Sequence, residues 1–370
     1  MNPATQHRIA ALDGLRGLAI GGVLWHHLVE SYLPLGAGSV LGWVRAGSAL
    51  CWSGVDLFFV LSGYLIGGIL LDQRNSPRLA ATFYVRRAAR ILPLYYVTLA
   101  LCLGLVAAGY AGSSQLFSGW VYGTFLTNIA FAAINRWDWA PFSVLWSIAV
   151  EEQFYLAAPW IARWLPPRRV PGFLIGLVVA AWMLRAGILW LWPQDYLAHH
   201  VLMPARMDTL ACGVLVAWLV RQPDGASLAR RLERTWGWWL AGAGAVFAVL
   251  TACHYLHVTA VDLYAGYTLL ALIYALLLFI VVAVRPPGLV RLLSSAVPVS
   301  LGRYAYFLYL WHMLIAGALL AWLGGPGFQL NSLASFAILG TALGATWLAA
   351  VVSWRVFEGP LVRLGHRAVY

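Results

Sequence analysis

Eleven apolar stretches fill almost the whole of this 370-residue chain, and they exclude most ways of folding it. They run near 14–33, 51–71, 91–110, 119–134, 143–164, 171–192, 204–220, 236–254, 261–284, 304–323 and 333–355. Most reach the roughly 20 residues that a helix needs to cross a bilayer. The chain is 62% hydrophobic and 10% charged, where a soluble domain has about a quarter of its residues charged. Backbone in lipid has to satisfy its own polar groups, so runs of this length become helices. The expected fold is all-α: a polytopic transmembrane helix bundle forming one integral membrane domain over 1–370. The loops leave no room for a sizeable soluble domain.

All 24 basic residues are arginine, and the formal charge is +11. A surplus of that size also suits nucleic-acid binding. The arginines gather at the ends of the apolar runs, however, which is the mark of membrane topology, and no nucleic-acid partner is expected. With the N-terminus cytoplasmic and segment 119–134 not crossing, 20 of the 24 arginines fall on the cytoplasmic side. If that segment crossed, every later basic loop would flip outward. It is also the weakest run, interrupted by Thr124, Thr127 and Asn128. About ten crossings follow, with both termini cytoplasmic and 119–134 re-entrant or interfacial, placed to help line a cavity. The four cysteines read as small core residues, and the 20 tryptophans and 17 tyrosines, clustered at segment ends, as aromatic belts.

Against this apolar background the polar residues stand out. Arg16 and His27 are eleven residues apart in the first run. At about 100° per residue that is three helical turns, so they share a face, while His26 falls on another. Ionisable groups inside a membrane helix are costly and by default mark a function. His27 suits proton transfer, since imidazole titrates near neutral pH; the alternative is a histidine simply hydrogen-bonded in the bundle. It sits about two-thirds along its run. Asp13 is i,i+3 from Arg16 and is expected to pair with it. Arg86, Arg87 and Arg90 share one side of the third run at its cytoplasmic end, either as a phosphate-binding cluster or as ordinary positive-inside anchors. Ser147, Glu151 and Tyr155 form an i,i+4,i+8 stripe, with Glu152 beside it. Glu151 would orient His27 or an arginine, hold a substrate, or close a structural ion pair. Asp56, Arg206 and Asp208 group in the outer half, suiting either a hydrophilic substrate or rim solvation. Arg185 needs a partner that spacing does not name. His199, His200, His254 and His257 lack the acidic or cysteine neighbours of a zinc site, so no metal is expected.

Six motifs in order carry a resemblance. They are Ala11-Leu-Asp-Gly-Leu-Arg-Gly-Leu-Ala with His27, Gly54-Val-Asp-Leu-Phe-Phe-Val-Leu-Ser-Gly-Tyr-Leu-Ile, and Phe83-Tyr-Val-Arg-Arg-Ala-Ala-Arg-Ile-Leu-Pro. Leu145-Trp-Ser-Ile-Ala-Val-Glu-Glu-Gln-Phe-Tyr-Leu, Arg206-Met-Asp-Thr-Leu-Ala-Cys-Gly and Tyr304-Ala-Tyr-Phe-Leu-Tyr-Leu-Trp-His follow. Together they resemble the acyltransferase-3 family of membrane enzymes, in the form without an extra C-terminal extracytoplasmic domain. The family moves acyl groups, usually acetyl from acetyl-CoA, onto hydroxyls of surface glycans, lipids or secondary metabolites.

The resemblance implies an acyl-CoA-dependent O-acyltransferase of a bacterial inner (plasma) membrane. Its acceptor would be a surface glycan, lipid-linked sugar or exopolysaccharide; the alternative is a small metabolite such as a macrolide. From buried charge alone, a transporter or flippase is a competing class. His27 matches the family's critical histidine, as general base or as a nucleophile carrying the acyl group. Arg16 matches its partner, and Glu151 is the third catalytic candidate. Arg86, Arg87 and Arg90 are implied to hold coenzyme A phosphates. Asp13, Asp56, Ser62, Ser147, Glu152, Tyr155, Arg206, Asp208, Tyr309 and His312 are expected to bind substrate or support the site. His312, i,i+3 from Tyr309, would donate to a substrate oxygen or fix a neighbour's rotamer.

Overall fold

A computed structural model describes residues 10–34, 39–110, 113–257 and 265–370. It is 81% helical, with no strand among the described residues. The helices that shape the interior are α1 (Ala10–Leu28), α2 (Gly54–Gln73), α3 (Leu79–Ala107), α4 (Gly119–Gly123), α5 (Thr127–Ile134), α6 (Leu145–Trp164) and α7 (Val170–Leu191). After them come α8 (Met203–Leu219), α9 (Trp236–Tyr255), α10 (Tyr267–Phe279), α11 (Ala296–Arg303), α12 (Ala305–His312) and α13 (Leu333–Ser353). Among the described residues, eight helical runs are long and apolar enough to cross a membrane, and they contain α2, α3, α7, α8, α9, α10, α12 and α13. Helices α1 and α6 have comparable lengths, 19 and 20 residues, but carry the polar stripes of Asp13, Arg16 and His27 and of Glu151 and Glu152.

Segment 119–134 does not form one spanning helix. It breaks at Phe125, whose φ of 58° is left-handed, and ends at Asn135, φ 49°. The pieces, α4 and α5, have five and eight residues, far short of a bilayer. A reciprocal amide pair pins the break: Asn128 Nδ2 donates to Gln153 Oε1 at 3.1 Å, and Gln153 Nε2 donates to Asn128 Oδ1 at 2.9 Å and to the Phe125 carbonyl at 3.0 Å.

Other boundaries move. Helix α3 begins at Leu79, well before residue 91, so Arg86, Arg87 and Arg90 lie inside it. Helix α1 stops at Leu28, which puts His27 in its last turn and not two-thirds along. Helix α11, too short and polar to register as an apolar run, packs across α1. The approach is so close that a Cβ on Gly302 would collide with the Asp13 carbonyl oxygen. The α2–α8 crossing is as tight, since a Cβ on Gly63 would meet the Leu210 carbonyl and one on Gly213 that of Val60. Helix α12 runs into a π-helical turn, Met313–Gly317, directly after His312. Such turns break the regular hydrogen-bond ladder and often lie at functional sites.

Candidate active site

His312 fixes the proton arrangement of the centre. It is fully buried, and its Nδ1 lies 3.0 Å from the Leu308 carbonyl and 2.8 Å from the Tyr309 carbonyl. Carbonyls only accept, so Nδ1 carries the proton. In the neutral ring Nε2 is then an acceptor, and it lies 3.2 Å from His27 Nδ1. His27 Nδ1 therefore donates, and His27 Nε2 keeps its lone pair. The two rings sit 4.9 Å apart, centre to centre. His26 pairs with Glu30, its Nδ1 3.1 Å from Oε2, and its ring lies 5.0 Å from that of His27.

His27 lines a chamber of about 340 Å³ together with Trp52, Trp137, Asp138, Trp146 and His200. A second cavity of about 550 Å³ continues it, sharing His26, Trp52, Trp137 and His200. Indole rings pack around His200, with Trp146 at 4.7 Å and Trp52 at 5.5 Å between centres. The belt reading of the tryptophans fails for these residues, because they face inward. Segment 119–134 contributes indirectly: Tyr122 donates its hydroxyl hydrogen bond to Asp138 Oδ2 and so holds that carboxylate at the chamber wall.

A smaller chamber, about 110 Å³, lies beside the first. Arg16, Arg87 and Arg90 line it with Ser62, Glu151 and Tyr155. Glu151 does not touch His27. Its Oε1 accepts from Ser62 Oγ at 2.6 Å and its Oε2 from the Tyr155 hydroxyl at 3.2 Å, which satisfies a half-buried carboxylate without a bonded cation. Arg16 pairs with Asp13 at 3.3 Å, as the spacing suggested. Arg86 points elsewhere: its Nε and Nη2 donate to the Ala368 carbonyl at 3.0 and 2.7 Å, and its guanidinium lies over the Tyr370 ring. Glu152 lines neither chamber, and its Oε1 has no hydrogen-bond partner among the described residues. The positive field at this end is felt by His366, just beyond the last helical turn. Its pKa is lowered by partial burial and then by Arg86, Arg87 and Arg90.

Asp56, Arg206 and Asp208 reach neither chamber, although their sequence positions grouped them with a substrate site. All are fully buried, and Arg185 joins them. Arg206 Nη2 donates to Asp56 Oδ1 across α8 and α2. Arg185 Nη2 donates to Asp208 Oδ2 at 2.7 Å and to Thr268 Oγ1 at 2.6 Å, and Thr268 Oγ1 donates on to Asp208 Oδ2 at 2.8 Å. The Tyr267 ring covers the Arg206 guanidinium, 4.2 Å from its centre. A charge in lipid needs an opposite charge within reach, and the bundle supplies one for each arginine. This clasp ties α2, α7, α8 and α10 together and gives Arg185 the partner that sequence could not name.

Fold and site define a helical membrane protein with a histidine-centred chamber set beside a guanidinium-lined one. Residues 9–352 match the acyltransferase domain family, and the chain belongs to that family. It is similar to the O-acetyltransferase OatA of Staphylococcus aureus strain NCTC 8325, 26% identical over 385 residues that cover 97% of this chain. The protein of the same name from strain COL matches to the same extent. The chain spans 58% of the length of these relatives. No solved structure matches it.

Proposed function

We propose that this chain is an O-acyltransferase that accepts acyl-CoA at the arginine chamber and acylates a hydroxyl held in the His27 chamber. The observation that carries the reading is the hydrogen-bonded pair of His27 and His312, whose neutral form leaves Nε2 of His27 as a base in a chamber wall. An alcohol is a weak nucleophile until a base takes its proton, and a positioned base contributes about 10²–10⁴-fold. The acceptor oxygen attacks the thioester carbonyl as its proton passes to Nε2, and the carbon–sulfur bond breaks. The thiolate then takes the proton back, giving ester and free thiol. While His27 is cationic, its Nδ1–H donates more strongly to His312. If His27 instead carries the acyl group, the same nitrogen is the nucleophile.

Arg16, Arg87 and Arg90 offer the guanidinium groups that bind coenzyme A phosphates. Acetyl is the acyl group suggested by the relatives' name. The indole walls of the His27 chamber, with Asp138 among them, favour a sugar hydroxyl as acceptor, on a surface glycan or lipid-linked precursor. The arginine distribution supports an inner-membrane protein with both termini, and the arginine chamber, toward the cytoplasm.

The test compares glycans and lipids from cells holding wild type or His27→Ala at equal membrane levels. Mass spectrometry should find a species one acetyl unit heavier with wild type only. The same gain from both proteins overturns the role of His27. A solute moved but not modified points to a carrier instead.

A further inference from the structure

Two residues are common to both chambers, Val55 on α2 and Tyr309 on α12. They are 8% and 7% exposed and form the partition between the arginines and His27. Tyr309 is held in place by neutral hydrogen bonds. Its hydroxyl donates to the Val144 carbonyl at 3.0 Å and lies 2.5 Å from Ser147 Oγ. The Phe58 ring meets it edge-on, 6.2 Å between centres. Its own carbonyl accepts the Nδ1–H of His312, so the partition and the histidine pair are one hydrogen-bonded assembly.

We infer that Val55 and Tyr309 form a constriction that selects the acyl group by length, passing acetyl and excluding longer chains. This rests on the donor and acceptor sides proposed above. If the donor's phosphates are held by the arginines and the base stands in the other chamber, the acyl end of the donor has to cross this partition to react. The crossing is lined by the Val55 methyls and the rings of Phe58, Phe59 and Tyr309, which discriminate by volume. The space before it is about 110 Å³, against about 340 Å³ beyond, so the donor side has the less room for extra methylenes. Tyr309 is the movable half, since neutral hydrogen bonds hold it more weakly than charged ones would.

The experiment uses membranes carrying wild type, Val55→Ala, Tyr309→Phe or Val55→Ile at equal levels. Each receives radiolabelled acetyl-, propionyl- and butyryl-CoA in turn, and label in the glycan and lipid fractions is counted. Wild type should prefer acetyl. One methylene in an apolar site is worth about tenfold or more, so Val55→Ala should raise the butyryl-to-acetyl ratio about tenfold. Tyr309→Phe keeps the ring and loses the hydroxyl bonds, and should raise the ratio less. Val55→Ile should lower acetyl transfer while leaving the KM for acetyl-CoA unchanged. Unaltered ratios in all three variants overturn the constriction, as does a loss shared equally by the three donors. A wild type that transfers label from none of them overturns the O-acyltransferase reading itself.

Discussion

Two of the polar assemblies in the interior join different helices and are built to opposite ends. In the clasp of Arg185, Asp208, Arg206 and Asp56, every charge faces an opposite charge and no side chain reaches a chamber. In the pair of His27 and His312, one nitrogen is spent on backbone carbonyls, two face each other, and the last keeps a lone pair in a chamber wall. Buried charges that meet opposite charges across helices hold those helices together. A lone pair that faces a cavity is left with chemistry to do.

The sharpest way to break that contrast is to remove one member of each. His27→Ala should lower acyl transfer by about 10²–10⁴-fold while the thermal unfolding of the detergent-solubilised protein stays near that of wild type. A large drop in unfolding temperature would make His27 part of the scaffold. Asp208→Ala should do the reverse, destabilising the bundle by about 3–5 kcal/mol because Arg185 is left charged and unpaired. Replacing both, Arg185→Met with Asp208→Leu, should recover much of that loss. Thermal unfolding and membrane accumulation measure both variants, and a double variant no better than the single one would deny the pairing.

A finer test separates His312 from His27. His312→Phe removes the acceptor for His27 Nδ1–H, and a misplaced base costs about 10²-fold. His312→Gln restores an acceptor oxygen and should retain more activity. Equal losses in the two variants, read as transfer rates at matched membrane levels, would deny that the hydrogen bond matters. The smallest expected effects divide the arginines. Arg87→Ala or Arg90→Ala should raise the KM for acetyl-CoA about tenfold, the worth of one charge-assisted hydrogen bond. Arg86→Ala, whose guanidinium is engaged by Ala368 and Tyr370, should leave that KM nearly unchanged.

What the sequence made legible follows from what the bilayer dictates. Helix lengths are set by hydrocarbon thickness, so most runs could be marked, although α3 begins well before its apolar run because its first turns carry arginines. That Arg16 and His27 lie on one side of α1 was readable because helical phase is local, although the two line different chambers. So was the Asp13–Arg16 pair. The partner of Arg185 was not readable, because Asp208 and Thr268 come from other helices and no spacing links them. The same holds for His312 and His27, 285 positions apart. The tryptophans misled for a related reason: a ring at a segment end faces lipid or cavity according to helix rotation, which one sequence leaves open. Glu151 drew three candidate roles from its position, and its bonded partners proved to be the neutral hydroxyls of Ser62 and Tyr155. Hydroxyls are too common for such a pairing to register.

Val55 and Asp56 are neighbours in the chain, and on a helix neighbours point in different directions. One forms half of the partition between the chambers, and the other is anchored to Arg206 behind it. Turning α2 to widen the passage would tear out that anchor, and the glycine crossing with α8 leaves no slack for sliding. The partition is thus a doorway with a fixed jamb, and any swing has to come from the other post, the tyrosine on α12.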